Sequence, residues 1–370
     1  MASDVLRVGI VGAGLIAQAA HLPNTASNPR TELVALAEPS RIVRESLAAR
    51  YSIPHAYETW QGMLEQEALD AIVVCSPHAT HAAIVLAAIE LGVHCLVEKP
   101  LCIDPADATL IDERTAQAGV LVQVGYMKRY DPGFDALICG LPQTPDRLLL
   151  VDVTTYDPWM SRPPFVDWDR FIRGTDIDPA ALERFRADEA RQVGAAVGAD
   201  DPGTVRAYSY TFLACLVHDV NLVHGVLDRW GLVATPRGSH AWGQGAAASI
   251  WLDLDSGAQW RSTWMLLGDQ EEFLEQARLY FADGIHELSF PVPYHAQVPT
   301  RYRASGRGPL GQSVASECTY ICDTYRAELD AFIDCIVAGA QNRTPPGQGG
   351  RDIALLRDLF ILGSGAKDLR

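Results

Sequence analysis

Val5-Leu6-Arg7-Val8-Gly9-Ile10-Val11-Gly12-Ala13-Gly14-Leu15-Ile16-Ala17 is the stretch on which the reading of this chain turns. A mostly apolar run ends on Gly-Ala-Gly, and helix-forming residues follow without a break. GxGxxA at the turn from a first strand into a helix has a physical meaning in each position. Gly12 permits the tight turn, Gly14 lets the backbone approach a pyrophosphate, and Ala17 lets helix and strand pack closely. Leu15 and Ile16 carry first-turn N–H groups, which with the positive end of the helix dipole face the phosphates. The stretch therefore predicts a dinucleotide-binding fold.

The surrounding sequence keeps the same rhythm. Leu33–Ala37, Ala71–Cys75, Val93–Val97 and Val120–Val124 are apolar or nearly so, as strands buried on both faces of a parallel sheet are. Between them, Arg41–Arg50, Thr59–Glu67, His78–Leu91 and Pro105–Ala118 have helical length and composition, the last introduced by Asp104 as N-cap with proline at the first helical position. This βαβ alternation predicts an α/β domain, a doubly wound Rossmann sheet, over residues 1–126. Glu38, closing the second strand, offers a carboxylate to the adenosine ribose hydroxyls and disfavours a 2′-phosphate. NAD is the expected cofactor, with NADP the alternative because Arg41 is close enough in sequence to pair with such a phosphate.

At the end of the fifth strand stands Glu98-Lys99-Pro100. Open α/β sheets present their chemistry at the C-terminal ends of strands. A lysine there, partly desolvated beside a nicotinamide, is expected to have a lowered pKa and to take a hydroxyl proton as hydride leaves the same carbon. Glu98 can orient the ammonium.

These motifs, together with Ser76-Pro77-His78 and His81 after the fourth strand and Val124-Gly125-Tyr126-Met127-Lys128-Arg129-Tyr130-Asp131-Pro132, resemble the Gfo/Idh/MocA oxidoreductases in order and spacing. The resemblance covers the N-terminal domain and, more loosely, the remainder. It implies that Lys99 is the catalytic lysine, that Pro100 follows a cis peptide bond, and that Ser76, Pro77, His81 and Glu98 lie around the cofactor. It also implies a second signature on a helix of the second domain: an Asp, a His four residues on, and an Asp three further. Here those positions read Ala214, His218 and Asn221, so the histidine is kept and both carboxylates are gone. His218 is then the partner of Lys99 at the substrate hydroxyl, with Asp219 and Asn221 as helpers.

Residues 127–370 are expected to form an α+β domain with an open, mostly antiparallel sheet. Its strands are Arg147–Thr155, Thr235–Trp242, Ala247–Leu254, Ala258–Leu266, Ala277–Phe281 and Glu287–Pro291, and its helices run near Tyr210–Leu227, Ser316–Ala338 and Gly350–Lys367. The irregular stretch Tyr156–Val205 is the expected specificity element. Tyr156, Trp159 and Arg162, with Tyr126 and Arg129 at the domain junction, are candidate substrate contacts, because aromatic faces suit sugar C–H surfaces and arginine suits hydroxyls or an anion. Pro179–Arg191 reads equally as a solvated helix.

The net charge of −16 repels nucleic acid and anionic lipid heads. The N-terminus lacks signal-peptide features, and charged residues, Gly or Pro interrupt every apolar run, so a cytoplasmic chain with no membrane span is expected. None of the eight cysteines forms a CxxC pair, which suggests reduced, buried thiols, and no metal-ligand spacing is present. A homodimer or homotetramer is expected to cover the open sheet. The functional expectation is a dehydrogenase acting on a sugar, cyclitol or similar polyol. Two alternatives stand beside it: oxidation followed by elimination with the cofactor recycled, and an NAD-bound sensor without catalysis.

Overall fold

The computed structural model describes residues 5–158, 168–295, 297–308 and 310–363. Trp159 and Arg162 lie outside them. The chain divides into two compact units.

The first unit comprises residues 5–126, 168–196 and 325–353. Strands β1 (Leu6–Val11), β2 (Thr31–Ala37), β3 (His55–Tyr57), β4 (Ala71–Val74), β5 (His94–Glu98) and β6 (Val122–Gly125) form a parallel sheet in the order β3-β2-β1-β4-β5-β6. The order reverses between β1 and β4, so their C-terminal ends flank the crevice where open α/β sheets bind ligands. Ile72, Val73 and Val74 are wholly buried, as expected of a strand covered on both faces. The short strand β3 escapes the apolar-run criterion because His55 and Ala56 are exposed.

Two segments expected with the second domain pack with the first unit instead. Leu329, Phe332 and Ile333 of the helix Thr324–Ala338 join the core cluster formed by Val8, Ile10, Leu36 and Leu96. Arg30 fastens that helix through Asp330 (3.0 Å) and Asp334 (2.5 Å). The outer edge of β6 is covered rather than left open. Val124 N–H donates to Thr344 O at 2.9 Å, the Thr344 hydroxyl donates to Val124 O at 2.8 Å, and Asn342 Nδ2 donates to Val122 O at 2.8 Å. The charged stretch at 179 is a helix, Pro179–Val197, exposed except around Val193; Gln192 Nε2 ties it to Ala79 O at 2.8 Å.

The second unit comprises residues 127–158, 197–324 and 354–363. Its sheet runs β14-β13-β12-β11-β7-β10-β9-β8, built from β7 (Leu148–Asp157), β8 (Ala234–Trp242), β9 (Ala247–Leu254), β10 (Gln259–Leu266), β11 (Leu274–Phe281), β12 (Gly284–Phe290), β13 (Thr300–Arg307) and β14 (Ser313–Tyr320). Every neighbouring pair is antiparallel except β7 with β10. One face buries Val151, Val153, Ile250, Leu252, Trp260, Ala277, Leu279 and Leu288. The expected helix from Ser316 begins only at Thr324, since 313–320 pairs with β13 as an exposed edge strand.

The helix Pro202–Leu227, with a π-helical middle at Arg206–Leu216, corrects the expectation that no run is long and apolar enough to cross a membrane. It passes that test by length and composition, and 78% of its most apolar window is buried within the fold, as in a core helix. The cysteines also differ from expectation. All eight are free, but only Cys75, Cys95 and Cys102 are buried, while Cys139 and Cys318 are exposed.

Candidate active site

The glycine turn has the geometry its sequence requires. Gly12 has φ +85°, and a Cβ there would stand 2.7 Å from the Ser76 nitrogen at the end of β4. Gly14 is the opposite case: nothing lies within 4 Å of where its Cβ would be, so the space over the loop is open. The following helical turn begins at Leu15 and Ile16, whose N–H groups have no intrahelical acceptor. Ala17 is fully buried against β1. Glu38 is buried, accepting from Ala13 N–H (2.9 Å) with one oxygen and from Ser40 N–H (3.0 Å) with the other. Each oxygen keeps a lone pair for a ribose hydroxyl. An open cradle over Gly14 and an oriented carboxylate fit a dinucleotide.

Lys99 stands half-buried just past β5, and its peptide bond to Pro100 is cis, as the resemblance implied. Three buried groups define its backbone. Glu98 accepts from Lys99 N–H at 3.2 Å with one oxygen and pairs with His21 Nε2 at 2.7 Å with the other. Burial alone would raise the Glu98 carboxyl, but the His21 bond and charge, with help from the Lys99 charge, bring it below the usual range. His81 is wholly buried, its ring nitrogens facing Pro100 O and Ser76 O at 2.8 Å each. Burial outweighs those two carbonyls and lowers the His81 pKa, so the neutral ring donates to one of them. His81 thus braces the loop that carries Lys99, and Glu98 accepts from the lysine's backbone N–H. Ser76 Oγ is bonded to Thr80 Oγ1 at 2.7 Å beside the exposed Pro77. Sequence reasoning missed His21, which sits in a π-helical turn, Ala17–His21, ahead of Pro23. It also missed Glu328, wholly buried, whose carboxyl is pushed well up by burial and by the Glu98 charge.

In the second unit, His218 opens the α-helical part of the long helix, Val217–Leu227. That helix is buried on most sides. Its less buried positions around His218 are Tyr210, Ala214, Cys215 and His218, a stripe on which the imidazole is accessible. Tyr210 stands edge-on to Trp264 at 5.9 Å and adds an aromatic face that the sequence had not suggested.

Several expected contacts are placed elsewhere. Asp219 is 1% exposed and accepts from the Thr155 hydroxyl at 3.3 Å, turned into the sheet and away from the accessible stripe. Arg129 is buried over the Phe134 ring (5.1 Å) and donates to Asn221 O at 3.3 Å. Tyr126 is likewise buried. Tyr156 alternates with Thr155 along β7 and so projects from the opposite sheet face to the one that meets the Asp219 helix.

Burial pushes the Asp219 carboxyl above the usual range, with the Lys128 charge and the Thr155 bond pulling the other way. An acid whose pKa rises on folding favours the native state most below its unfolded value. That contribution is lost as pH climbs toward the folded value. Asp219→Asn should therefore gain on the wild type, by about 2 kcal/mol, as pH goes from about 4 toward neutrality. Thermal melts across that range check it; a pH-independent difference contradicts it.

Among known proteins, residues 6–126 match the family described as "Oxidoreductase family, NAD-binding Rossmann fold" (GFO_IDH_MocA). The chain is 36% identical over 140 residues to inositol 2-dehydrogenase 4 of Saccharopolyspora erythraea, covering 37% of this chain and 41% of that protein. It is 29% identical over 174 residues to the uncharacterized oxidoreductase YrbE of Bacillus subtilis, covering 46% and 49%. The chain thus spans about half or less of the length of the curated relatives it matches. Over its whole length it shares the fold of UDP-N-acetylglucosamine 3-dehydrogenase GnnA from Acidithiobacillus ferrooxidans, with TM-score 0.70, 18% identity and 99% coverage of both chains. Residues 6–126 are thus similar to the NAD-binding Rossmann domain of the Gfo/Idh/MocA oxidoreductases.

Proposed function

We propose that this chain is an NAD-dependent dehydrogenase acting on a hydroxyl carbon of a cyclitol, sugar or sugar derivative. The observation that carries this reading is Lys99: a half-buried lysine at the C-terminal end of a central strand, braced by Glu98 and His81. Bound NAD supplies the hydride acceptor. Lys99 takes the hydroxyl proton through its Nζ, and the imidazole of His218 hydrogen-bonds that oxygen. Gly12 and Gly14 admit the pyrophosphate, Glu38 takes the ribose, and Ser76 and Pro77 border the same crevice. The inositol dehydrogenase relative supports a polyol substrate.

One feature favours keeping a second reading. The stripe Tyr210–Ala214–Cys215–His218 offers no carboxylate where the family signature has one, which suits a redox-neutral oxidation and elimination in which the cofactor is returned unchanged. A single assay separates the two. The full chain is incubated with NAD and a panel of cyclitols, sugars, uronates and glycosides, and both NADH and products are analysed. Stoichiometric NADH and a ketone support the dehydrogenase. Loss of an aglycone without NADH supports elimination. Dinucleotide binding with no turnover on any member contradicts both.

A further inference from the structure

Residues 168–196 belong to the first unit, and part of them packs beside the glycine turn and the end of β2. Gln18, on the helix after the glycine turn, reads both backbone groups of Ile172. Its Oε1 accepts from Ile172 N–H at 2.9 Å, and its Nε2 donates to Ile172 O at 2.9 Å and to Ala13 O at 2.8 Å. Two residues on, Gly174 lies flush against Ser40, where a Cβ would be 2.8 Å from that side chain. Asp176 then reaches the N-terminus of the helix Arg41–Tyr51. Its Oδ1 accepts from the Ser40 hydroxyl at 2.5 Å and its Oδ2 from Ile42 N–H at 3.1 Å. Ser40 Oγ meanwhile accepts from Val43 N–H at 3.2 Å.

That helix start, one residue past the Glu38 carboxylate and its proline, is where a Rossmann fold seats a 2′-phosphate: a hydroxyl, free N–H groups and a positive dipole end. Here a resident carboxylate already holds the hydroxyl and an N–H. The neighbouring cations do not compensate for it. Arg41 pairs with Glu45 at 3.6 Å, and Arg44 Nη1 donates to the carbonyls of Glu38 (2.6 Å) and Pro39 (3.1 Å). The Ser40 bond keeps the Asp176 carboxyl below its usual range, so it is charged at neutral pH.

We propose that Asp176 is a second carboxylate, brought from a distant part of the chain, that excludes a 2′-phosphate from this site and so selects NAD over NADP. The proposal rests on the reading of residues 6–126 as a dinucleotide site. Removing the charge and freeing Ser40 and the helix N–H groups relieves a repulsion and opens a seat together. At contact distance from a phosphate of charge near −2, each is worth about tenfold at most in a solvated setting.

Calorimetric titration of the full chain with NAD⁺ and with NADP⁺ tests this without reference to turnover. Wild type should bind NAD⁺ more tightly. Asp176→Ala should move the ratio of the two Kd values toward NADP⁺ by about tenfold or more, and Asp176→Asn, which keeps the shape and loses the charge, by several-fold. Glu38→Ser serves as the comparison, since its effect tests the dinucleotide site itself. If Glu38→Ser moves the ratio and neither Asp176 variant does, the site stands and Asp176 is not a determinant. If wild type binds neither dinucleotide, or prefers NADP⁺, the proposal falls; binding of neither takes the reading of the site with it.

Discussion

Lys99→Ala is expected to lower kcat by about 10³-fold while changing the Kd for NAD⁺ by only a few-fold. The split follows from what the side chain does. A positioned general base contributes to the transition state and little to the ground state, so its loss appears in kcat. The scaffold around it is independent of the ammonium: the Glu98 carboxylate holds the Lys99 backbone N–H, and His81 holds Pro100 O. An alanine there keeps both bonds and the folded loop. Lys99→Arg should not rescue turnover, because guanidinium stays protonated and cannot accept a proton at neutral pH. NADH formation by the variants, with calorimetric Kd values alongside, checks the expectation. Turnover by Lys99→Ala within a few-fold of wild type would remove the lysine from the mechanism.

The two glycines of the turn should respond to alanine in opposite ways. At Gly12 the new methyl meets three obstacles: φ +85°, a backbone nitrogen at 2.7 Å and a backbone Cα at 2.8 Å, both of Ser76. Backbone cannot swing aside as a flexible side chain can. A left-handed conformation costs a non-glycine residue about 1 kcal/mol, and forced repacking about 1–3 more. Gly12→Ala should therefore destabilise the chain by about 2–4 kcal/mol and abolish detectable NAD⁺ binding. Gly14→Ala meets no protein atom within 4 Å. It should melt within a degree or two of wild type yet bind NAD⁺ at least tenfold more weakly, since the methyl fills the cradle left for the pyrophosphate. Melting curves and titrations on the same preparations separate the two; equal destabilisation at both sites would contradict this account.

How much of this was legible in the sequence depends on the distance over which each feature is specified. The parallel sheet, the glycine turn and Glu38 come from local apolar runs and local turn chemistry, and they stand where those signals put them. Strand β14 was read as the start of a helix because Ser313–Tyr320 is exposed along nearly its whole length, so no buried face leaves an alternating pattern. Strand β13 did carry one: Thr300 and Tyr302 are buried between exposed Arg301 and Arg303. The surroundings of charged residues were not legible either. Arg129 and Asp219 look like ligands in a one-dimensional reading, but each is enclosed with a partner far along the chain. Asp176 is the extreme case. Its position is set by Ser40, 136 residues away, and no local pattern announces such a contact.

The way the first unit is stitched together has a consequence for its biosynthesis. Its strands are translated first, yet Leu329, Phe332 and Ile333 fill its core, and Thr344 closes the flank of β6. A nascent chain ending at Tyr126 would leave Val8, Ile10, Leu36 and Leu96 without Leu329, Phe332 and Ile333, and β6 without its Thr344 partner. The nucleotide-binding unit, whose strands precede these residues in the chain, is therefore completed only once residues 325–353 have been made.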